Sequence, residues 1–239
     1  MFGVFGTDLR MKYLCEELGA LPFSGDEREF ISRCDIIVLP VGDSYKNLLP
    51  LCKGKTVLCG ADLHCDGVRV INYAADPYFK AANALPTAEG AIMLAMENTG
   101  RTLRGMRTAV LGLGNIGTAL CRALVSLGAS VTVLCRSGNA RGRAENLGAE
   151  PARFTPSVLR DCETVFNTVP APVLDARMLS ALPEGALVID LASAPGGTDF
   201  AAARERGVRA ILAPGLPARY APRTAAKILK NTILTLLEE

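Results

Sequence analysis

The stretch Thr108-Ala-Val-Leu-Gly-Leu-Gly-Asn-Ile-Gly117 decides the fold of this chain. Its first part, Thr-Ala-Val-Leu, predicts a short buried strand, and a helical pattern runs from Ile116 to Leu127. Three glycines at Gly-x-Gly-x-x-Gly spacing join the strand to the helix. Glycine spacing alone is a weak signal, but in this strand-turn-helix context it indicates a dinucleotide-binding unit.

Each glycine of this turn has a separate physical role. Gly112 permits the tight turn, Gly114 lets the backbone approach the pyrophosphate, and Gly117 allows the helix to pack closely on the strand. The helix then begins at Asn115 and Ile116, where free N–H groups and the positive dipole end face the phosphates. We expect all five residues to contact a nicotinamide dinucleotide. The alternative, a glycine-rich turn without a ligand, is disfavoured by the context.

The rest of the chain continues the α/β pattern on both sides of this turn. Short apolar runs alternate with helical segments, which is typical of parallel strands buried on both faces. Strands are predicted at 108–111, 130–134, 164–167, 187–191 and 209–212, and, before the turn, at 2–5, 35–39, 55–59 and 68–71. The predicted fold class is therefore α/β: a Rossmann dinucleotide-binding domain plus a smaller flavodoxin-like α/β domain, joined by a long helix.

The predicted boundaries divide the chain into four parts. The small N-terminal domain covers 1–85, the linking helix 86–104, the Rossmann domain 105–218, and a C-terminal helix 219–239 is expected to pack back on the N-terminal domain. Pro86 is expected to start the linking helix, with Thr87 in its first turn. The apolar face that this helix buries is predicted to consist of Ile92, Met93, Ala95 and Met96.

Composition excludes several classes of protein. A net charge of +2 over 239 residues argues against a dedicated nucleic-acid binder, which would show a basic stripe. None of the eight cysteines has a partner at Cys-x-x-Cys spacing, so we predict no metal site. The sequence shows neither a signal-peptide pattern nor an apolar stretch long enough for a membrane span. These features predict a cytoplasmic protein with reduced cysteines.

The choice of cofactor depends on the end of the second Rossmann strand. An NAD-preferring site usually has an acidic residue there, whereas this chain has Arg136 and Ser137. A guanidinium and a hydroxyl suit a 2′-phosphate, so NADP is predicted, with NAD as the alternative. Arg136 as an ordinary solvated arginine also stays open. Two later loops are expected to face the cofactor because they follow strand ends: Thr168, Val169 and Pro170, and then Ala192.

The residues available for catalysis are few. His64, the one histidine, precedes the Rossmann segment, which disfavours a 2-hydroxy-acid dehydrogenase with a histidine base. Ser193 and Glu89 are the catalytic candidates, although Glu89 also suits the first turn of a helix. We expect an acidic substrate between the two domains, held by the helix start at Thr87 and by cations at Arg219 and Arg223. A solvated helix face is the alternative for Arg223.

Beyond the glycine turn, longer stretches resemble a known family, that of dipicolinate synthase A subunits. The resemblance runs from Asn83 to Leu237. It is carried by Ala84-Leu-Pro-Thr-Ala-Glu-Gly-Ala-Ile-Met93, Val110-Leu-Gly-Leu-Gly114, Phe166-Asn-Thr-Val-Pro170, Asp190-Leu-Ala-Ser193, Pro195-Gly-Gly-Thr-Asp-Phe200 and Leu212-Ala-Pro-Gly-Leu-Pro217. The first domain matches in outline only, at Gly6-Thr-Asp-Leu-Arg10 and Ile37-Val-Leu-Pro40.

This resemblance implies an activity. The family makes dipicolinic acid for spores, in the mother-cell cytoplasm, and its dehydrogenase-type chain uses a pyridine nucleotide and works with a flavoprotein-like B subunit. The implied step removes a hydride from a dihydrodipicolinate and aromatises the ring. Ala194 departs from the family pattern, where a basic residue is usual, and Arg219 is the candidate replacement. A dehydrogenase of another small amino or hydroxy acid, a non-catalytic cofactor-binding protein, and a homo-oligomer stay open.

Overall fold

The computed structural model describes residues 1–42, 44–193 and 196–238. Ala194 and Pro195, which belong to the family resemblance, lie outside the described residues. The chain forms two compact units. The first unit combines Met1–Pro86 with Pro217–Glu239, and the second unit is Thr87–Leu216.

Eleven strands and ten α-helices make up the described part of the chain. The strands are β1 Phe2–Val4, β2 Leu21–Pro22, β3 Ile36–Val38, β4 Thr56–Cys59, β5 Arg69–Asn72, β6 Arg107–Leu111, β7 Ser130–Leu134, β8 Glu150–Ala152, β9 Thr164–Asn167, β10 Leu187–Asp190 and β11 Arg209–Leu212. The helices are α1 Leu9–Leu18, α2 Glu27–Ser32, α3 Pro77–Ala82, α4 Ala84–Thr99, α5 Asn115–Ser126, α6 Gly138–Asn146, α7 Ala176–Leu179, α8 Phe200–Glu205, α9 Leu216–Tyr220 and α10 Pro222–Glu238.

The first unit is built on a five-stranded parallel sheet. Its strand order is β2-β1-β3-β4-β5, the flavodoxin-like order. One face of the sheet is covered by α1 and the C-terminal helix α10, where Met11 and Leu14 pack with Leu229 and Ile233. An aromatic group around Phe5 belongs to the core on the other face. The strands are short because burial on both faces needs only a few apolar residues in each.

The second unit is built on a six-stranded parallel sheet of order β11-β10-β9-β6-β7-β8. When the strands are numbered within the unit and read from the β8 edge, the order is 3-2-1-4-5-6, the doubly wound Rossmann order, with its switch point between β6 and β9. The inner strands are buried over most of their length, and Leu111, Phe166 and Val188 in them have no solvent exposure. The predicted α/β fold class, with a Rossmann and a flavodoxin-like part, is therefore confirmed.

Helix α4 differs from its prediction in two respects. It begins at Ala84, so Thr87 is inside the helix rather than at its start. Pro86 is tolerated there because the first-turn residues of a helix have no intrahelical partner for their N–H groups. The predicted buried face was half wrong: Ile92 and Ala95 are buried, but Met93 and Met96 are 46% and 45% exposed.

Neither a membrane span nor a metal cluster is found among the described residues. No helix there is both long enough and apolar enough to cross a membrane. In the same ranges, no group of three or more His, Cys, Asp or Glu side chains is arranged to hold a metal ion.

Candidate cofactor-binding site

The turn between β6 and α5 is closed by a glycine in a left-handed conformation. Gly112 has φ +86°, and its N–H donates to the Leu134 carbonyl at 2.9 Å. A Cβ at this position would lie 2.8 Å from Val169 Cγ2 and 2.9 Å from Thr168 Oγ1. Both the backbone angle and the space therefore require glycine, which is what a tight turn at the sheet edge needs.

The other two glycines of the motif differ sharply in their surroundings. A Cβ on Gly117 would lie 2.2 Å from the Gly112 carbonyl oxygen, so α5 packs against the turn with no room for a side chain. Around Gly114, by contrast, no atom lies within 4 Å of an added Cβ. Gly114 is the N-cap residue of α5 and supplies no side-chain hydrogen bond. The helix N-terminus is thus left open on its approach side, and it fits the phosphates of a dinucleotide.

A cleft of about 770 Å³ lies beside the glycine turn. It brings together four residues that the sequence predicted for the cofactor: Gly112, Arg136, Ser137 and Val169. Arg136 and Ser137 are both exposed. The Ser137 hydroxyl oxygen accepts a hydrogen bond from the Ala140 N–H at 3.2 Å as the N-cap of α6, so its own O–H is left to donate.

The cleft also contains cations that sequence reasoning did not single out. Arg153 and Arg177 line it together with Arg136, against one carboxylate, Asp175. Asp175 is engaged as the N-cap of α7, where its Oδ1 accepts from the Met178 N–H at 2.8 Å. Arginines in a loop and a short helix carry no distinctive spacing, so the sequence offers no signal for them. The excess of guanidinium groups suits a phosphate-bearing ligand.

Arg143 is a further basic residue at the glycine turn. Its guanidinium donates to the Leu113 carbonyl and lies 3.4 Å from the Thr118 hydroxyl. A side chain from α6 therefore braces the turn between its first and second glycines. The sequence shows Arg143 in the basic stretch after Ser137, but nothing in the pattern indicates this contact.

A buried polar network joins the loops after β9 and β10. Asp190 is fully buried, and its carboxylate accepts from Asn167 Nδ2 at 3.0 Å, the Ala192 N–H at 3.0 Å and the Gly197 N–H at 2.9 Å. The Asn167 side chain in turn exchanges two hydrogen bonds with the backbone of Val169. Three charge-assisted bonds compensate the carboxylate for its lost hydration.

The remaining loop candidates are placed as follows. The Thr168 hydroxyl donates to the Leu111 carbonyl at 2.8 Å, and Pro170 is exposed. Ala192 is held by the Asp190 network, and Ser193 beside it is exposed, with its carbonyl accepting from the Gly196 N–H at 2.9 Å. No sequence pattern indicates that Asn167 and Asp190, the last residues of β9 and β10, form one network.

The catalytic and substrate candidates outside these loops lie in different settings. Glu89 is exposed on α4, whereas Thr87 is 7% exposed on the same helix. The Arg219 guanidinium lies 4.7 Å from the centre of the Tyr220 ring. Arg223, on α10, stacks 4.2 Å above Tyr13 in a shallow pocket that also contains Glu16, Glu17 and Lys227. That pocket is lined by two carboxylates and two cations, so it has no excess of positive charge for an anion at Arg223.

Comparison with known proteins places this site in a family. Residues 81–196 match the model of the NAD-binding domain of D-isomer specific 2-hydroxyacid dehydrogenases. The crystal structure of the dipicolinate synthase A subunit from Bacillus halodurans is 30% identical, with a TM-score of 0.88, and the match covers 100% of this chain and 97% of that chain. This chain belongs to the family of dipicolinate synthase A subunits.

Two comparisons with the dipicolinate synthase A subunit of Bacillus subtilis agree. The crystal structure of the dipicolinate synthase A subunit from this organism is 29% identical, with a TM-score of 0.82, and the match covers 99% of this chain and 95% of that one. The curated A subunit from strain 168 is 42% identical over 159 residues, which are 66% of this chain and 54% of the relative. The chain thus spans about half the length of that curated relative in sequence alignment. The family resemblance predicted from the sequence is confirmed, as is an oxidoreductase-type NAD-binding domain.

Proposed function

We propose that this chain is an NADP-dependent oxidoreductase that oxidises dihydrodipicolinate to dipicolinate in sporulation. The observation that carries the proposal is the structural match to a dipicolinate synthase A subunit over the whole chain, at a TM-score of 0.88. The open helix N-terminus at Gly114 supports it, since that geometry suits a dinucleotide rather than a purely structural turn. The proposed setting is the cytoplasm of a spore-forming cell.

The proposed reaction removes two hydrogens from the ring. A hydride leaves one ring carbon, a proton leaves another, and the ring becomes aromatic. When bound, the oxidised nicotinamide cofactor supplies the hydride acceptor. Because the two carboxylates and the imine acidify the ring, the departing proton needs no strong base. This suits a chain whose one histidine, His64, is an exposed residue hydrogen-bonded to Asp66. Ser193 and Glu89 are the polar groups proposed to assist proton release.

The proposed preference for NADP rests on the cleft beside the glycine turn. Arg136, two residues after β7, is proposed to pair with the 2′-phosphate, with Ser137 donating its O–H to the same group. Arg153 and Arg177 raise the positive charge of this cleft. The residues proposed to hold the rest of the cofactor are Gly112, Gly114, Asn115, Ile116, Gly117, Thr168, Val169, Pro170 and Ala192.

The proposed substrate contacts are Thr87, Arg219 and Arg223, and the proposed protein partner is a flavoprotein-like B subunit. Arg219 is the strongest of the three substrate candidates, because the pocket around Arg223 has as many carboxylates as cations and Thr87 is largely buried. Arg219→Ala should raise the KM for the dicarboxylate, whereas Arg223→Ala should change it less.

The decisive experiment follows cofactor reduction by the purified full chain. Dihydrodipicolinate is generated in the assay, and NADP⁺ and NAD⁺ are compared by the absorbance of their reduced forms, with and without a homologue of the B subunit. We expect reduction of NADP⁺ together with formation of dipicolinate. Binding of the cofactor without turnover under all these conditions would instead favour a non-catalytic cofactor-binding protein. Turnover of another small amino or hydroxy acid would indicate a different substrate on the same site.

A further inference from the structure

Arg10, near the start of α1 in the first unit, is a buried arginine with incomplete hydrogen bonding. The residue is 7% exposed. Its Nη2 lies 3.9 Å from Asp8 Oδ2, which is an ion pair beyond hydrogen-bond distance. Its Nε is fully shielded from solvent and has no hydrogen-bond partner among the residues that the structure describes.

This arrangement is unusual because an arginine is always charged. A guanidinium carries several N–H donors and cannot release its proton at physiological pH. Buried polar atoms are almost always paired, and a buried charge is costly unless a counter-charge binds it. Asp8 provides only part of that pairing, since its Oδ1 already accepts from the Met11 N–H at 3.0 Å as the cap of α1.

Two further titratable groups among the described residues, Tyr73 beside Arg10 and Cys59 beside Tyr73, are neutral at pH 7. Burial raises the pKa of the Tyr73 hydroxyl, although the positive charge of Arg10 opposes that shift. The same hydroxyl donates to the Leu39 carbonyl at 2.9 Å. Burial also raises the pKa of the Cys59 thiol, which points its hydrogen at the Ala61 carbonyl. Neither group supplies the negative charge that Arg10 lacks.

Arg10 also lies where a parallel sheet offers a binding site. After β1 the chain adds β2 on one side of β1 and then β3 on the other side. The switch point of the first sheet therefore lies between β1 and β3. Open α/β sheets bind ligands beyond the carboxyl ends of their strands at such a point. The turns there are closely packed: a Cβ on Gly6, whose φ is +119°, would lie 2.8 Å from Pro40 Cγ.

We infer that Arg10 binds a carboxylate of the substrate, so that the first unit contributes its own anion site at the carboxyl edge of its sheet. The Nε edge of a guanidinium takes both oxygens of a carboxylate in parallel hydrogen bonds, which satisfies the buried Nε. The inference rests on the proposed function for the identity of the ligand, a ring dicarboxylate. Arg10 belongs neither to the glycine motif at Gly112 nor to the substrate cations predicted from the sequence, Arg219 and Arg223.

The test is a calorimetric titration of the full chain with pyridine-2,6-dicarboxylate, with NADP⁺ titrated separately. Arg10→Met should lose about tenfold or more in affinity for the dicarboxylate, because a charge-assisted contact is removed. Its affinity for NADP⁺ should stay within about twofold. Arg33→Met, which removes an exposed arginine from the same unit, is the matched control and should bind both ligands as the wild type does. Circular dichroism and thermal unfolding report whether each variant folds.

Arg10→Lys keeps the charge and loses the planar fork, so it remains informative if Arg10→Met does not fold. We expect Arg10→Lys to bind the dicarboxylate more weakly than wild type. Wild-type affinity in a folded Arg10→Met or in Arg10→Lys, or no binding of the dicarboxylate by the wild type, overturns the inference and leaves a structural pair with Asp8. Dicarboxylate binding that depends on Arg10, without any cofactor reduction, would support the site and refute the proposed turnover. If Arg10→Met instead shows normal turnover and an unchanged KM for dihydrodipicolinate, the proposed turnover is supported and the Arg10 site is refuted.

Discussion

In both units of the molecule the first parallel strand leads through a turn into a helix, but the N-terminus of that helix is treated in opposite ways. In the first unit Asp8 caps α1, with its carboxylate 3.0 Å from the Met11 N–H. In the second unit Gly114 occupies the N-cap of α5, offers no side chain and faces space that is free within 4 Å. The same fold element is thus closed by the chain itself in one unit and left open in the other.

This difference shows how one architecture separates a structural role from a binding role. A carboxylate at an N-cap satisfies the N–H groups and the dipole that would otherwise attract a phosphate. A glycine at the same position leaves both available for a ligand. The chain therefore assigns the dinucleotide to the second unit, while the anion contact inferred for the first unit uses a side chain, Arg10, instead of a helix end.

The most direct test of this difference replaces Gly114, the N-cap of α5, with Asp, the residue type that caps α1. In Gly114→Asp the new carboxylate should cap α5 and repel the phosphates, so cofactor binding should fall below detection while thermal stability is unchanged or slightly raised. Gly114→Val should also abolish binding, through bulk alone. Calorimetric titration with NADP⁺ measures both.

Gly142→Asp is the control for this pair of variants, because it adds the same charge at a helix position where a Cβ meets nothing within 4 Å. Normal affinity for NADP⁺ in a folded Gly114→Asp protein would show that the phosphates bind elsewhere.

A second comparison concerns the buried carboxylate of the second unit and an exposed capping carboxylate of the same unit. Asp190→Ala leaves Asn167 Nδ2 and the Ala192 and Gly197 N–H groups without their acceptor. We expect a loss of about 3 kcal/mol or more in the free energy of unfolding, measured by urea denaturation. Asp175→Ala, which removes an exposed helix cap, should lose only about 1 kcal/mol. Equal losses would contradict a special role for the buried network.

The preference for NADP over NAD tests the role of Arg136 in the second unit. Arg136→Ala should weaken NADP binding by about tenfold or more, which corresponds to roughly 1.5–3 kcal/mol, and leave NAD binding nearly unchanged. Arg141→Ala, which removes another exposed arginine that does not line the cleft, is the control. If wild type and Arg136→Ala show the same ratio of the two affinities, the 2′-phosphate contact is refuted.

The smallest effect on cofactor binding is expected at the cap of the first unit. Asp8→Ala should leave NADP affinity unchanged and lower the free energy of unfolding by roughly 0.5–2 kcal/mol through loss of the cap, with a further loss because Arg10 no longer has a carboxylate 3.9 Å away. Asp8→Ser keeps an acceptor at the same position and should restore only the part of that stability that the cap contributes. Thermal unfolding and calorimetry together test both statements, and a loss of cofactor binding in Asp8→Ala would show that the helix ends are not independent.

Sequence patterns predicted the inner strands of both sheets because those strands are continuous apolar runs. The two strands that no pattern predicted are β2 and β8. Each contains a proline, Pro22 and Pro151, and each lies at an edge of its sheet, where a strand is short and proline is tolerated. The other two edge strands, β5 and β11, have apolar runs without proline and were predicted, so it is proline that interrupts the apolar pattern of an edge strand.

The sequence predicted the part of the candidate site where the backbone conformation permits only one residue type. Gly112, Gly114 and Gly117 indicate the turn because only glycine fits there or leaves room for a ligand. Arg10 and Asp190 could not be assigned their settings from the sequence, since burial of a single charged residue depends on packing from distant segments. Met93 and Met96 were misplaced for the same reason: an apolar side chain on a helix does not indicate which neighbours cover it.

The hydrogen bonds of Asp190 connect the loop after β9 with the loop after β10, so we expect the two loops to open together. One carboxylate holds the Ala192 and Gly197 amides and the Asn167 side chain, which itself fixes Val169. Opening one loop therefore removes a hydrogen-bond partner of the other, so the amide of Val169 and those of Ala192 and Gly197 should exchange with deuterated solvent through one shared event. Loop amides of this kind would exchange as slowly as those of neighbouring strands, although they lie outside any secondary structure.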